Sequence, residues 1–218
     1  MAQKWKEWFA EQVAASTMQV SEIWLKDVVG WEVRHGGSRL CRIDGAFFSV
    51  VGAQITTGRD GREIRSWAQP LLKEAGAGIV VLAYRQTVIG GEPELLLRAR
   101  SEPGNETPGR VLLGPTLQAS ESNLQQAHGG NAPPRADLFP RVDAESWWVN
   151  LPMDGGRFLG KVNRGAFLEV KDAVPDGAEF WFTRTDLKDA VMLGLLNEYL
   201  LQLLGIGLIE GRFHVTGV

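Results

Sequence analysis

A short run near the middle of the chain concentrates charged side chains where a predicted strand ends in a turn. It reads Arg-Ala-Arg-Ser-Glu-Pro-Gly-Asn over residues 98–105. Side chains alternate along a strand, so Arg98, Arg100 and Glu102 would share one face. Two guanidinium groups beside a carboxylate could bind an anion, because arginine binds phosphate through two parallel hydrogen bonds. The alternative is a cross-strand ion-pair ladder followed by an ordinary turn, which is the commoner arrangement for such residues.

A second polar run reads Gly-Pro-Thr-Leu-Gln-Ala-Ser-Glu-Ser-Asn over residues 114–123. Small hydroxyl and amide side chains at a strand end can hold the hydroxyl groups of a sugar, although the same residues also build turns. His128 follows among polar neighbours. A neutral imidazole there could act as an acid or a base near pH 7, whereas an exposed loop histidine without such a role is more common.

A third polar run, Gly-Lys-Val-Asn-Arg, occupies residues 160–164. On a strand, Lys161 and Asn163 would lie on the same face. Solvated polar side chains on an outer face are the default interpretation of such a pattern. None of the three runs identifies an activity by itself.

Common catalytic and metal-binding motifs are absent from the sequence. The three histidines (35, 128 and 214) are not spaced as a metal-binding pair, and a single cysteine, Cys41, excludes an internal disulfide and a cysteine-based zinc site. There is no glycine-rich phosphate loop and no Gly-x-Ser-x-Gly nucleophile turn. Residues 71–76 bear only a faint likeness to the magnesium-binding motif of Nudix hydrolases. We therefore expect no metal site, and spacing alone assigns no enzyme class.

The composition narrows the class of protein. The chain has 218 residues, 44% hydrophobic, with 23 basic and 26 acidic side chains and a net charge of −3. This charge argues against a general nucleic-acid binder, which would carry a basic excess. The first residues lack the apolar core of a signal peptide, and no apolar run approaches the roughly 20 residues needed to cross a bilayer. We expect a soluble, cytoplasmic protein in which residues 1–218 form one domain.

Predicted secondary-structure elements must position these polar runs. The first of them, at the N-terminal end of the sequence, are helices. Aromatic and apolar residues at a three-four spacing predict a first helix, and Ser16 or Thr17 could begin a second that ends before Gly30. From residue 31 to 117 the period changes to two, which predicts strands. The clearest of these strands span residues 46–56, 78–85, 93–100 and 111–118.

The second half of the chain predicts a loop, then strands, then a helix. Residues 119–140 are polar without an apolar period and predict a long loop. Two more strands are expected over residues 147–151 and 157–170. Thr183 or Thr185 could cap one closing helix whose leucine-rich face extends through Leu200. The pattern predicts an α+β fold with N-terminal helices, a mixed sheet of short strands and C-terminal helices.

Taken in order, many stretches of the sequence resemble one repeat of the nucleoside-diphosphate hexose 2,3-dehydratases, the sugar dehydratases of deoxysugar biosynthesis. The most specific are the Glu-Pro-Gly-Asn turn at 102–105 and the Pro-Thr-x-Gln-x-x-x-Ser-Asn run at 115–123. The other matching stretches are GW (30–31), GAFFSVVGAQI (45–55), SWAQPLL (66–72), GAGIVVL (76–82), DLF (137–139), GGRFLGKVNRGAFLEV (155–170) and FWFTRTDLKDAVMLGLLN (180–197). The resemblance covers nearly the whole chain from about residue 20.

The resemblance implies a fold, a substrate and a reaction. The implied fold is a Nudix-like mixed β-sheet sandwich without metal-dependent hydrolase activity. The implied substrate is a nucleoside-diphosphate 4-keto-6-deoxyhexose, such as a dTDP-sugar. The implied reaction is that of a lyase, which removes the proton at sugar carbon 3 and expels the 2-hydroxyl group to give a 3,4-diketo-2,6-dideoxy sugar. Because the existing ketone acidifies that proton, no cofactor is expected.

The resemblance also implies roles for individual residues. Glu102 and His128 are the acid–base candidates. The candidates for binding the sugar hydroxyls or the keto oxygen are Asn105, Gln118, Ser122 and Asn123. The candidates for binding the diphosphate are Arg98, Arg100 and Lys161. The remaining substrate-binding candidates are Asn163 and, for the base pocket, Trp67 and Gln69.

The sequence departs from the family pattern at four positions. A histidine expected before the Phe-Phe-Ser-Val run is Arg42, and an arginine and a tyrosine expected in the 115–123 region are Glu121 and Leu124. A lysine expected before the Glu-Pro-Gly-Asn turn is Arg100, a milder change. Two alternatives therefore stay open. One is a catalytically inactive nucleotide-sugar-binding or structural partner subunit, and the other is a different elimination or isomerisation on a nucleotide-linked sugar.

The number of repeats predicts a homodimer. Relatives in the family usually carry two such repeats in tandem, whereas this chain has one, so the contacts between repeats need a counterpart. The candidate surfaces are the Trp5, Trp8 and Phe9 face of the first helix and the leucine-rich face between Leu187 and Leu208. Either helix could instead pack on its own sheet.

Overall fold

The structure is a computed structural model, and the residues that it describes include eleven β-strands and five α-helices. Those residues are 2–58, 63–87, 91–127, 129–145 and 148–209. The strands are β1 (Trp31–Arg34), β2 (Arg39–Arg42), β3 (Phe48–Thr56), β4 (Ser66–Glu74), β5 (Ile79–Arg85), β6 (Glu94–Ser101), β7 (Val111–Gly114), β8 (Leu117–Ala119), β9 (Trp148–Pro152), β10 (Val162–Glu169) and β11 (Glu179–Phe182). The helices are α1 (Ala2–Ala15), α2 (Glu121–Leu124), α3 (Phe139–Glu145), α4 (Arg184–Met192) and α5 (Glu198–Ile209). This arrangement confirms the predicted α+β class.

The strands form two sheets. Strands β1 to β4 make an antiparallel meander in chain order. The second sheet has the order β11-β6-β5-β10-β9, with β7 beside β6 and β8 beside β5. Its one parallel pair is β5 with β10, and its other pairs are antiparallel. The two sheets meet where residues 157–159 run beside β4, since Leu72 hydrogen-bonds both Arg157 and Leu159.

Strand β5 is apolar along almost its whole length because both faces of the second sheet are covered. Val80 and Leu82 belong to a core layer shared with α1, α4 and α5. Val81 and Ala83 point to the opposite layer, which includes Leu138 and the α3 residue Val142. The meander has no such cover, and most of its side chains are at least partly exposed.

Strands β5 and β6 form a hairpin only at its closed end and then diverge. Beyond the pair Ala83–Leu96, β8 lies beside β5 and β7 lies beside β6. The fully buried Thr116, between β7 and β8, occupies the point of divergence. Its hydroxyl oxygen accepts a hydrogen bond from the Ala83 amide at 2.9 Å and donates to the Leu96 carbonyl at 2.5 Å. One side chain thus replaces the ladder contact that the two strands give up.

The predicted strand over 111–118 is therefore wrong as a single element. It is two short strands with different neighbours, β7 on β6 and β8 on β5. Apolar alternation alone indicated one strand. Pro115 has no backbone donor for a ladder, and it lies between the two.

The closing helix also differs from the prediction, because two helices occupy its place. Thr183 caps α4, accepting from the Asp186 amide, and the Asp186 carboxylate accepts in return from the Thr183 amide at 3.1 Å. Helix α4 ends before Gly194, which has a φ of +68° that favours glycine. The chain then crosses to Leu113 in β7 before α5 begins.

The second N-terminal helix expected from Ser16 or Thr17 is not formed. Residues 16–24 are irregular, and only a short 3₁₀ turn follows at Leu25–Asp27. The apolar side chains of this segment, such as Ile23 and Trp24, are exposed. A helix this short is unstable in water without a surface on which to bury its apolar face. The predicted loop at 119–140 contains the short helix α2 and reaches the start of α3.

No helix in the described ranges has both the length and the apolar character needed to cross a membrane.

Replacing Thr116 with valine tests the divergence point. The change keeps the shape of the side chain but leaves the buried Ala83 amide without its acceptor, so we expect the free energy of unfolding to fall by about 2–3 kcal/mol. Chemical denaturation measures this difference. Thr56→Val, at an exposed position at the end of β3, is the matched control and should change stability by less than about 0.5 kcal/mol. Equal effects of the two substitutions would contradict the bridging role.

Candidate active site

Polar side chains converge at the open end of the divergence, where β6, β8 and the start of α5 meet. Asn197 donates through Nδ2 to Gln118 Oε1 at 2.9 Å, and Gln118 donates through Nε2 to Glu102 Oε1 at 3.0 Å. Glu102 keeps 37% of its side-chain surface exposed, while Asn197 is buried. The row of amides thus leads from the protein interior to an accessible carboxylate.

Arg100 lies beside this row. Its Nη2 donates to the Gln118 carbonyl at 2.7 Å, and its Nε is 3.8 Å from Glu102 Oε1. Burial lowers the pKa of the Arg100 guanidinium, and the Glu102 carboxylate opposes that change. Gly114 makes the arrangement possible, because a Cβ there would approach Arg100 Cδ to 2.5 Å.

Tyr199, in the first turn of α5, faces the same region. Burial raises the pKa of its phenol to about 12, and the carboxylates of Glu198, Glu102 and Glu74 act in the same direction. A hydrogen bond from the Asn163 side chain opposes the shift. The phenol is therefore neutral across the physiological pH range and can donate a proton or a hydrogen bond. The sequence analysis did not single out Tyr199, because it lies on the leucine-rich face that predicted core packing.

Lys161 and Asn163 hold the turn between β4 and β5 against β10. Lys161 Nζ is 3.0 Å from Glu74 Oε2 and donates to the Gly76 carbonyl at 3.0 Å, and only 5% of its side chain is exposed. The Asn163 amide accepts from Gly78 N at 2.9 Å through Oδ1 and donates to Met153 Sδ at 3.1 Å. Both side chains are buried.

Helix α2 packs over the same turn. The Glu121 carboxylate lies directly over Gly76, which has a φ of +77° and no side chain to obstruct it. Ser120 caps α2 by accepting from the Asn123 amide at 3.2 Å, and its hydroxyl is 2.9 Å from that of Ser122. Asn123 Oδ1 is buried and makes no hydrogen bond within the part of the chain that is described.

Comparison with known proteins identifies the family. The family model described as NDP-hexose 2,3-dehydratase matches residues 2–198 of this chain. The chain belongs to the NDP-hexose 2,3-dehydratase family. This confirms the resemblance that the Glu-Pro-Gly-Asn and Pro-Thr-x-Gln-x-x-x-Ser-Asn stretches carry.

Three curated relatives share the name dTDP-4-dehydro-6-deoxy-alpha-D-glucopyranose 2,3-dehydratase. Those from Saccharopolyspora spinosa and Amycolatopsis orientalis are each 31% identical, over 179 and 185 residues, covering 81% and 82% of this chain. The one from Streptomyces violaceoruber is 30% identical over 181 residues, or 81% of this chain. The matches cover 36%, 38% and 40% of the relatives, so the chain spans less than half the length of each.

Of the residues that the family resemblance implies for the diphosphate, Arg98 lies apart from the Glu102 cluster. Its Nη1 is 2.8 Å from Asp176 Oδ2, in the loop before β11, and 3.0 Å from Glu179 Oε1, directly opposite in β11. The Glu179 side chain is fully buried and also accepts from Arg135. Burial would raise the pKa of Asp176, but hydrogen bonds from Arg98 and the Ala178 amide, together with the charges of Arg98 and Arg135, lower it. Arg98 thus forms a cross-strand ion pair, the structural alternative that the strand pattern left open.

The Glu-Pro-Gly-Asn turn of this family member is closed by its own side chains. Asn105 Nδ2 donates to the Arg110 carbonyl at 2.9 Å, and Arg110 Nη1 donates to the carbonyls of Pro103 and Asn105 at 2.7 and 2.8 Å. Ser16, just after α1, donates to the Gly109 carbonyl at 2.6 Å. The turn is therefore a closed support for Glu102, and Arg110 is a part of it that the family stretches did not mark.

The implied base-pocket residues lie further along β4. Trp67 Nε1 donates to Gln69 Oε1 at 2.8 Å, and Gln69 Nε2 donates to the Gly156 carbonyl at 2.8 Å. Trp67 is seven residues before Glu74, a separation of about 23 Å along an extended strand. Arg42, at one position where the chain departs from the family pattern, pairs with Asp44 in the meander at 2.8 Å.

His128, the second acid–base candidate, lies outside the described residues. Of the sequence-predicted set, the structure brings together Glu102, Arg100 and Gln118. Tyr199 links Lys161 and Asn163 to this group. The Asn163 side chain hydrogen-bonds Tyr199, and Lys161 pairs with Glu74, whose charge acts on Tyr199 as that of Glu102 does. Asn197, Tyr199 and Glu74 are additions that only the fold places there.

The raised pKa of Tyr199 can be tested by absorbance at 295 nm. The difference between the wild type and Tyr199→Phe isolates the ionisation of this one phenol, and its midpoint should lie near pH 12 in the folded protein. In denaturant the midpoint should return to about 10, the ordinary value for tyrosine. Because the folded state holds the proton more tightly, this phenol stabilises the fold below pH 10 and loses that effect as the pH rises towards 12. A folded-state midpoint near pH 10 would contradict burial as the cause.

Proposed function

We propose that the chain binds a nucleoside-diphosphate 4-keto-6-deoxyhexose and eliminates water across carbons 2 and 3 of the sugar, as a lyase. Family membership and the names of the relatives support the substrate class. The observation that carries the proposal is the Glu102 carboxylate. One of its oxygens is held by Gln118, and its other oxygen, Oε2, makes no hydrogen bond among the described residues.

The proposed reaction follows from the acidity that the ketone at carbon 4 confers on the proton at carbon 3. Glu102 would accept that proton through Oε2, and the electron pair would move into an enolate between carbons 3 and 4. The enolate then expels the 2-hydroxyl group, which takes up a proton and leaves as water. The resulting enol, with its double bond between carbons 2 and 3, gains a proton at carbon 2, loses the proton of its 3-hydroxyl group and becomes the 3,4-diketo-2,6-dideoxy product. Every bond change balances without an oxidant or reductant, so no cofactor is proposed.

Tyr199 supports the second half of the reaction. A phenol that is neutral at physiological pH can protonate the departing hydroxyl group or donate a hydrogen bond to the enolate oxygen. His128 is the other candidate for this acid, by family resemblance alone. Glu102 would then act as the base and one of these two residues as the acid.

The remaining substrate contacts extend the proposal to the sugar and the diphosphate. Gln118, Ser122, Asn123 and Asn105 are proposed to bind the sugar, with Asn123 Oδ1 the acceptor that is buried without a partner in the described structure. Trp67 and Gln69 are proposed for the base pocket, and Asn163 for the sugar side. For the diphosphate we favour Arg100, because Arg98 and Lys161 each have a carboxylate within 3.0 Å, whereas Arg100 is 3.8 Å from its nearest carboxylate partner.

A catalytically inactive structural partner subunit is the second candidate. The observation in its favour is Glu121, which takes the place of an expected arginine and lies over Gly76, next to the Lys161–Glu74 pair. A further carboxylate at this point disfavours an anionic ligand, because like charges repel.

The proposal also covers the domain organisation, the architecture and the location of the protein. We infer that residues 1–218 form one dehydratase-like domain of Nudix-like architecture, located in the cytoplasm. The architecture is supported by the second sheet, which has a central parallel pair and lies between α1, α4 and α5 on one face and the α3 region on the other.

Incubation with dTDP-4-keto-6-deoxyglucose in heavy water tests the activity. The wild type should exchange the proton at carbon 3 or form the diketo product without an added cofactor. Glu102→Gln and His128→Ala should each reduce kcat by about 100-fold or more if the residue is a true acid–base group. Arg100→Ala should act mainly by raising KM.

The matched control is Glu106→Gln, an exposed carboxylate in the same loop, which should keep wild-type rates. A wild-type protein that neither binds the nucleotide sugar nor shows exchange or product would favour the inactive structural subunit. Full activity in Glu102→Gln would remove Glu102 from the mechanism.

We also propose that the chain forms a homodimer through α4 and α5. The alternative surface on α1 is covered by the same chain, since Trp5 and Trp8 pack against Phe182 and Phe180 with ring centroids 5.4 and 5.5 Å apart. Between α4 and α5 lies an apolar groove of about 510 Å³. Its exposed apolar side chains are Val191, Met192, Leu201 and Leu208. A second copy could bury this groove about a two-fold axis.

Sedimentation at micromolar concentration should show a dimer of the 24.0 kDa chain. Met192→Glu should weaken the dimer at least about tenfold, because a charge buried at an apolar interface is unfavourable. Val174→Glu, at a residue exposed to a similar degree in the loop before β11, should leave the dimer unchanged. A well-folded wild-type monomer would contradict the proposal.

A further inference from the structure

Asn197 is a buried residue of the site to which the proposed reaction gives no role. It lies between α4 and α5. Its backbone is fixed at both ends, since its amide donates to the Leu113 carbonyl at 2.8 Å and its carbonyl accepts from Leu201 at 3.1 Å. Its side chain joins two further elements: Oδ1 accepts from the Leu200 amide at 3.0 Å, and Nδ2 donates to Gln118. A side chain held at this many points has one orientation.

The direction of the whole row of hydrogen bonds follows from one backbone group. A backbone N–H can only donate, so the Leu200 amide must face the oxygen of the Asn197 side chain. The Asn197 side-chain nitrogen is then left to donate to Gln118, which must accept through its own side-chain oxygen. The Gln118 nitrogen is then the group that faces Glu102, at 3.0 Å from Oε1. Flipping either amide would set two donors or two acceptors against each other.

We propose that Asn197 is a positioning residue that fixes the direction of the row of hydrogen bonds from Asn197 through Gln118 to Glu102 (the relay) and thereby orients the Glu102 carboxylate as the base of the reaction. The inference rests on the proposed function and adds to it the residue that positions the base. The Gln118 donor on Oε1 fixes that oxygen of the Glu102 carboxylate. The proton taken from the substrate must then arrive on Oε2, the oxygen without a hydrogen bond among the described residues.

Gly114 gives independent support for the relay, because the lack of a side chain at this position is what allows the relay to form. A Cβ at this position would lie 2.9 Å from Asn197 Nδ2 and 2.5 Å from Arg100 Cδ. Any side chain there would push the Asn197 amide and the Arg100 stem away from their positions. The strand β7 thus ends in a residue that leaves space for both groups that act on Glu102.

Asn197 also caps the first turn of α5, so the test must separate capping from the relay. Asn197→Asp keeps an oxygen for the Leu200 amide, and aspartate is a good cap at a helix N-terminus. It removes the donor to Gln118, whose amide must then turn its nitrogen towards the introduced carboxylate and its oxygen towards Glu102. Asn197→Ser keeps a shorter cap, adds no charge and leaves Gln118 without its fixed partner. The serine variant serves if the aspartate variant does not fold.

The first measurement is kcat and KM for deuterium exchange at carbon 3 of the nucleotide sugar. Asn197→Asp should lower kcat about 10–100-fold, the factor that corresponds to one hydrogen bond to a charged group. Its KM should stay close to the wild-type value, because a positioning residue acts through Gln118 and Glu102 and is not itself proposed to contact the substrate. Asn197→Ser should show a smaller loss of kcat. The control Asn150→Asp makes the same charge change at an exposed position of β9 and should match the wild type.

The second measurement does not depend on activity. The side-chain amide signals of Gln118, assigned by their loss in Gln118→Glu, should move in Glu102→Gln, because the acceptor of the Gln118 amide is changed. They should also move in Asn197→Asp, because the Gln118 amide turns over. Wild-type signals and kcat in both Asn197 variants would overturn the inference. Absence of exchange in the wild type, with the amide signals as expected, would refute the proposed function but uphold the relay.

Discussion

The hydroxyl group of Thr116 is the contact on which the geometry of the site depends. Two neighbouring strands, β5 and β6, separate after the pair Ala83–Leu96, and their backbone groups at that point need other partners. The Thr116 hydroxyl satisfies one donor and one acceptor at once. Because the strands separate there, β7 and β8 can enter between them. The entry of β8 brings Gln118 next to Glu102.

Charge is distributed unevenly around the site, and the buried charges are compensated locally. Glu179 is fully buried between Arg98 and Arg135, and Lys161 is buried against Glu74. Such pairs keep a structure in place, because removing one partner would leave an unpaired buried charge. Arg100 differs, since its guanidinium meets a backbone carbonyl at hydrogen-bond distance and a carboxylate only at 3.8 Å. Among the described residues, Arg100 is thus a cation of the site that has no carboxylate within hydrogen-bond distance, and it lies beside the accessible carboxylate of Glu102.

The two sheets serve different ends. The seven-stranded sheet is covered on both faces and holds the Glu102 cluster at the end where its central strands diverge. The four-stranded meander is largely exposed and joins the other sheet through the chain around Phe158. The cluster and the exposed strands therefore lie in different sheets.

The sequence by itself determined the α+β class, the family and the strands that are strongly apolar, because these depend on local pattern and on short, specific motifs. It also marked Glu102 and Gln118 through the Glu-Pro-Gly-Asn and Pro-Thr-x-Gln stretches. It could not show that residues 111–118 are two strands, because hydrophobic alternation is the same whichever strand lies alongside. Nor could it separate Arg98 from Arg100: they share a strand face, but the neighbouring elements differ, with Glu179 opposite one and Gln118 beside the other. Asn197 and Tyr199 were hidden for the same reason, since they lie about 80 and 97 residues from Gln118 and Glu102, and only the packing of α5 against β7 and β10 brings them to the site.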